Sequence, residues 1–216
     1  MIFQFLIRRR QRAFTLLELL AVVVMILILV AGVFWPTLKN AKRRQQRIGC
    51  VNQLKNLGLA ARISAITIGD LPFSLAATNG GGIGPITPDA AANYFRSLSN
   101  VFHAPKVFAC PEDDRRPAAS FATLASTNVS YFIALDASET HPQLPLAGDR
   151  NIGVDRPFSN EIVSLRSSSN LAWIGSRHGP DMGNVVIGDG SVQQLTGSRR
   201  RALWSGITND YRLLFP

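Results

Sequence analysis

Apolar side chains fill almost every position from Phe14 to Trp35, a run in which Glu18 is the only charged residue. As a helix it reaches about 33 Å at roughly 1.5 Å per residue, enough to cross the hydrocarbon core of a bilayer. The run is longer than the apolar core of a cleavable secretory signal and passes straight into Pro36 and a basic segment, so it predicts a membrane anchor. From Lys39 to about Ile66 the chain is rich in Lys, Arg, Gln, Leu and Ala. Ile48, Val51, Leu54, Leu57, Leu59 and Ile63 recur there at helical spacing. The helix is therefore expected to continue out of the membrane as one amphipathic rod, with Pro36 kinking or locally breaking it.

The pattern changes at Gly69. Residues 79–85, Asn-Gly-Gly-Gly-Ile-Gly-Pro, read as a loop. Asp89 before Ala90–Val101 predicts a short capped helix, and Pro117–Ala125 a second one. Val129–Ala134, Leu171–Ile174, Asn184–Ile187 and Ser191–Leu195 read as short strands, the last two joined by Gly188-Asp189-Gly190 as a hairpin. The expected class is α+β: a long N-terminal transmembrane and amphipathic helix carrying a small head with an antiparallel sheet. Its segments are a basic leader (1–13), a membrane span (14–36), an amphipathic continuation (37–68) and the head (69–216).

With 216 residues, 46% of them hydrophobic and 17% charged, the chain can bury one ordinary core once the membrane span is set aside. The net charge of +9 is concentrated around that span, in Arg8, Arg9, Arg10, Arg12, Lys39, Lys42, Arg43, Arg44 and Arg47. This placement suggests membrane topology and contact with lipid head groups, with the downstream cluster otherwise a solvated helix face or one side of an intersubunit charge pair. No aromatic-interleaved basic motif or zinc-finger spacing points to nucleic acid, and none is expected as a partner. Basic residues lie on both sides of the span, so charge counting leaves its orientation open. Cys50 and Cys110 allow one intramolecular disulfide or two buried thiols, and are too few for an all-cysteine metal site. A bridge between them would pin head to rod and stabilise the fold by about 4 kcal/mol in the chain-entropy model.

The segment Arg8-Arg9-Arg10-Gln11-Arg12-Ala13-Phe14-Thr15-Leu16-Leu17-Glu18 resembles the processing site of type IV prepilins and type II secretion pseudopilins. The resemblance implies cleavage between Ala13 and Phe14, N-methylation of Phe14, and Glu18 as the fifth-position glutamate that pairs with a neighbouring subunit's amine. Ala13 stands where the family usually has glycine. A carboxylate one turn into an uncharged span needs a partner or a function. Thr15 and Glu18 also have the spacing of a helix capping box. The family implies a structural subunit, with no catalytic residue and no required cofactor. Its expected partners are the prepilin peptidase, the inner-membrane assembly platform, membrane lipid and further copies of the chain in a filament. The leader is expected inside and the head in the periplasm. The leading expectation is a secretion pseudopilus subunit. The alternatives are a type IV pilus subunit for adhesion, motility or DNA uptake, or a membrane-anchored enzyme or binding protein.

Further along the chain, Cys50–Ala60, Val107–Asp113, Leu146–Asn151 and Arg177–Val192 resemble segments of a pilin-like group found mainly in planctomycete and verrucomicrobial bacteria. That group carries a histidine followed by a Gly-Asn strand and Asp-Gly, here His178, Asp189 and Gly190. His178 and Asp189 are expected to form a hydrogen-bonded structural pair, with acid/base or metal-ligand roles as the alternative. Major secretion pseudopilins bind calcium in a C-terminal loop, and Asp149, Asp181 and Asp189 are the oxygen donors available for one. His103 and His141 are isolated and read as surface loop residues. A nucleophile elbow, a phosphate loop and a paired-histidine metal motif are absent from the sequence.

Overall fold

The computed structural model describes residues 14–68, 89–165, 171–175, 178, 181–207 and 210–216. The leader with Ala13, the composition boundary at Gly69 and the glycine-rich loop 79–85 lie outside the described residues. The chain divides into two compact units, Met1–Arg43 and Arg44–Pro216.

Helix α1 runs Leu16–Ile68. In the first unit every side chain from Phe14 to Trp35 is exposed. So much apolar surface needs lipid or other helices to remove it from water. The helix starts where Thr15 Oγ1 accepts the Glu18 N–H at 3.3 Å, the capping half of the Thr-x-x-Glu pattern. Of the kink or local break expected at Pro36, no break occurs: the helix runs on through it. In the turn that the proline disturbs, the Thr37 hydroxyl donates to the carbonyls of Val33 and Phe34, at 3.3 and 2.8 Å. Lys39, Lys42, Arg43 and Arg44 are all exposed.

In the second unit, α1 presents Cys50, Leu54, Leu57, Ala61 and Ala65 to the core, each at most 2% exposed. This corrects the apolar face expected from large residues alone. Leu54 and Leu57 belong to it, whereas Ile48, Leu59, Ile63 and also Ile66 are 48–84% exposed. At about 100° per residue the two sets fall on opposite sides of the helix. The packed side is made of smaller residues because the sheet comes close: a Cβ on Gly58 would meet Val186 Cγ2 at 2.6 Å and Gly190 Cα at 3.3 Å.

Helix α2 (Ala90–Ser97) runs into a 3-10 turn, Leu98–Asn100. Asp89 precedes it but does not cap it with its side chain. Its Oδ1 instead accepts the Ser126 N–H at 3.1 Å, so the carboxylate ties down a distant loop. The helix expected over Pro117–Ala125 does not form. Ser120 and Thr123 bond each other's hydroxyls and backbone N–H groups, and Arg96 donates to the carbonyls of Phe121 and Leu124. Those side chains supply the partners that a helical backbone would otherwise have used.

The described strands are β1 (Tyr131–Ala134), β2 (Pro145–Asp149), β3 (Ile152–Gly153), β4 (Ile162–Leu165), β5 (Ala172–Trp173), β6 (Met182–Ile187), β7 (Val192–Thr196) and β8 (Tyr211–Leu214). Helix α3 (Gly197–Ser205) follows β7. Six strands make an antiparallel sheet in the order β4-β8-β1-β2-β6-β7, and β3 pairs with β5. The β6–β7 hairpin turns at Gly190, whose φ of 85° favours glycine.

Register puts Tyr131 opposite Asp149, and Val186 opposite Ala147. With the two-residue alternation of strands, Tyr131, Asp149, Asn184 and Val186 share the face that receives α1. Tyr131 Oη donates to Gln53 Oε1 of the helix at 2.8 Å. The opposite face carries Phe132, stacked near Phe215 at 5.4 Å between ring centroids, and Trp173 lying over Gly183.

Replacing Gly58 by valine is expected to lower head stability by about 1–3 kcal/mol through overpacking. Leu59→Ala on the open side should stay within about 0.5 kcal/mol of the parent. Urea unfolding of the two variants side by side checks this.

Candidate functional site

The distant head segments singled out in the sequence meet at one place, between α1 and the sheet. Cys50, on the inward side of α1, is disulfide-bonded to Cys110. The loop carrying Cys110 lies on the helix: Gln46 Nε2 donates to the Pro111 carbonyl at 3.2 Å, and a Cβ on Gly49 would touch Pro111 Cγ at 3.3 Å. Beside the bridge sits His178, with its Nε2 3.8 Å from Cys110 Sγ.

The imidazole lies between two carboxylates. Its Nδ1 is 2.8 Å from Glu112 Oε2 and its Nε2 3.1 Å from Asp149 Oδ2. Asp149 Oδ2 also accepts the backbone N–H and side-chain amide of Asn184, at 2.6 and 2.9 Å. Glu112 Oε1 lies 3.6 Å from Arg47 Nε, a charge contact beyond hydrogen-bond range. A line of alternating charge thus runs from helix α1 through the Cys110 loop and His178 to the centre of the sheet. His178, Asp149 and Asn184 are at most 3% exposed. Next along the loop, Arg150 holds Asp113 with Nε and Nη2 at 2.8 and 3.1 Å, and reaches Asp114 at 2.9 Å.

Burial pulls the imidazolium of His178 toward deprotonation. The hydrogen bond and charge of Asp149, with the charge of Glu112, outweigh it, so His178 keeps its proton above the ordinary 6.5. Arg115, which donates to the carbonyls of Ser126, Val129 and Pro216, is lowered by burial and the nearby Arg150 to about 10.

This geometry redistributes the residues expected to act together. His178 pairs with Asp149 and Glu112, not with Asp189. Asp189 sits in the hairpin turn, where its Oδ1 accepts the Ser191 N–H at 2.7 Å and its carbonyl accepts a bond from Arg62 of α1. The turn therefore grips the helix one step beyond the bridge, with Gly190 against Arg62 and Gly58. Asp181 forms an ion pair with Arg200 of α3 at 2.5 Å. The three aspartates considered for calcium serve three separate contacts: Asp149 the histidine, Asp181 helix α3 and Asp189 the turn.

Glu112, Arg47 and Asn184 were not singled out as site residues in the sequence. Only the Cys-Pro-Glu-Asp segment hinted at Glu112, since nothing local says which of its acids turns inward. The cavity at His178, lined also by Cys110, Ser130, Asp149 and Asn151, is about 10 Å³. That is room for about one water and no organic substrate.

At the other end of the chain, Phe14 is 71% exposed and the Glu18 carboxylate makes no hydrogen bond or ion pair among the described residues. Residues 8–34 match the family model of the prokaryotic N-terminal methylation motif. The chain carries the type IV pilin and pseudopilin signal. The match ends well before the head, and comparison with curated proteins and with solved structures returns no match. The buried cluster is thus an arrangement that fastens a helix to its head, and the signal occupies the exposed end of the same helix.

The sign of the His178 effect is fixed by its raised folded-state pKa. Its stabilisation is complete below the unfolded value near 6.5 and is lost as pH rises through the higher folded value. The oxidised protein should therefore show a falling urea midpoint from about pH 6 upward, and His178→Gln should flatten that slope. Denaturation curves across this range provide the check.

Proposed function

We propose that the chain is a structural subunit of a type II secretion pseudopilus, cut between Ala13 and Phe14 by a prepilin peptidase and methylated on Phe14. The head then lies in the periplasm and the span in the inner membrane, where the assembly platform takes up subunits. The observation that carries this reading is the helix surface. Within the second unit α1 packs one apolar side on the head, while Ile48, Leu59 and Ile66 stay exposed on the other side among Asn52, Lys55 and Arg62. A helix that only tethered a head would be polar on its outer side. Such large exposed apolar side chains support packing against other helices of the same kind.

Glu18 supports the same reading. Its carboxylate makes no hydrogen bond or ion pair among the described residues, in a helix otherwise suited to lipid, and a partner from another subunit would make it tolerable there. The methylation signal is typical of structural rather than catalytic chains. A glutamate at this position also supports an ordinary core subunit. A type IV pilus subunit would share all these features and differ in what the filament does.

Glu18→Ala is expected to reduce both filament assembly and secretion of exported enzymes at least tenfold in the native host, with head stability unchanged within about 0.5 kcal/mol. Loss of surface pili or motility with secretion intact would place the subunit in a type IV pilus. Assembly and secretion both at parental level would overturn the filament reading and leave a tethered head.

A further inference from the structure

The bridge and the histidine make a second arrangement available. The sulfurs of Cys50 and Cys110 and a ring nitrogen of His178 all lie within 4.8 Å of one another, and all three residues are buried. Zinc bonds are about 2.3 Å to sulfur and about 2.0–2.2 Å to nitrogen or oxygen, so tetrahedral donors stand roughly 3.3–3.8 Å apart. The 3.8 Å from Cys110 Sγ to His178 Nε2 and the 3.1 Å from Nε2 to Asp149 Oδ2 are close to that spacing. The second oxygen of Asp149, Oδ1, is buried without a hydrogen-bond partner and so has a lone pair to offer. On the far side of the ring, Glu112 stands 2.8 Å from Nδ1. A carboxylate in that position orients a metal-binding imidazole and raises its basicity.

We infer that, when the Cys50–Cys110 bridge is reduced, the head binds one zinc ion through Cys50, Cys110, His178 and Asp149. The exchange balances with a dithiol reductant. The reductant gives two electrons and two protons to the bridge and closes to its own disulfide, leaving two protein thiols. Zinc then displaces both thiol protons, and any proton on Nε2, and takes two thiolates, a neutral imidazole and a carboxylate. Its two thiolates and carboxylate favour a divalent ion of borderline softness over a hard one. One donor comes from α1, one from the Cys110 loop, one from His178 and one from β2, so the ion would hold the helix to the head as the bridge does. The lock thus has two interchangeable forms, a disulfide under oxidising conditions and a metal link under reducing ones.

The test uses the full chain in detergent micelles, opened with a phosphine so that no added thiol competes for the metal. Cobalt(II) titration should give one ion per reduced chain with tetrahedral d–d bands and thiolate charge-transfer absorption, both abolished by adding zinc. The oxidised chain and the Cys50→Ser/Cys110→Ser variant should show neither band. His178→Ala should weaken zinc binding at least tenfold in competition with a chromogenic chelator. Because that variant can loosen the core, the unaltered chain supplies an independent reading: zinc should raise the melting temperature of the reduced form and leave the oxidised form unchanged. Absence of the charge-transfer band, one ion per two chains, affinity unaffected by His178→Ala, or no thermal shift in the reduced chain would each overturn the inference.

Discussion

The contact between the inward side of α1 and the face of the sheet carrying Tyr131, Asp149, Asn184 and Val186 is the interaction on which the rest of the head depends. Helix and sheet meet closely because the helix offers Gly58 there, and the contact is then fastened at several levels. The Cys50–Cys110 bridge fixes one end, the Asp189–Gly190 turn grips Gly58 and Arg62 further along, and Tyr131 reaches Gln53 between them. A buried ion pair adds little net stability, but losing one partner leaves an uncompensated charge in the core. The line Arg47–Glu112–His178–Asp149 is therefore better understood as fixing one docking register than as the source of stability.

That register matters because α1 has two faces to satisfy. Residues 16–35 expose apolar side chains all round, as a bilayer requires, while residues 44–68 divide their apolar residues between head and exterior. A rotation of the helix against the sheet would expose Leu54 and Leu57 and bury Ile48 and Ile63. Pinning the inward side with a covalent bridge and a charged seam fixes which side of the helix faces outward. The same contacts that close the core thus decide which surface of the helix is left exposed.

Much of this was legible in the chain itself, for identifiable reasons. The long apolar run and Glu18 are local patterns, and the continuation of the helix beyond the run follows from periodicity. The β6–β7 hairpin was readable from Gly188-Asp189-Gly190. What escaped were decisions made by distant partners. Arg96 and the Ser120–Thr123 pair take over the backbone groups of a segment with helical composition, and Asp89 turns from its own helix to Ser126. The inward face of α1 was hidden because closeness of packing selected alanine and glycine where hydrophobic size would have chosen isoleucine. The pairing of His178 was misassigned for the same kind of reason. Asp189 is its neighbour along the hairpin, but the register of β1, β2 and β6 delivers Asp149 from another part of the chain. Helix α3 and strands β2, β3, β4 and β8 were also not drawn from the sequence, their short runs being too weakly patterned to stand out.

The central claim, that this helix is made to be processed and assembled, is tested most directly by the intact mass and N-terminal sequence of the protein recovered from native membranes. The account predicts a mature chain that begins at N-methylated Phe14 and has lost residues 1–13. A chain that still begins at Met1, or one cut beyond the apolar span, would contradict it.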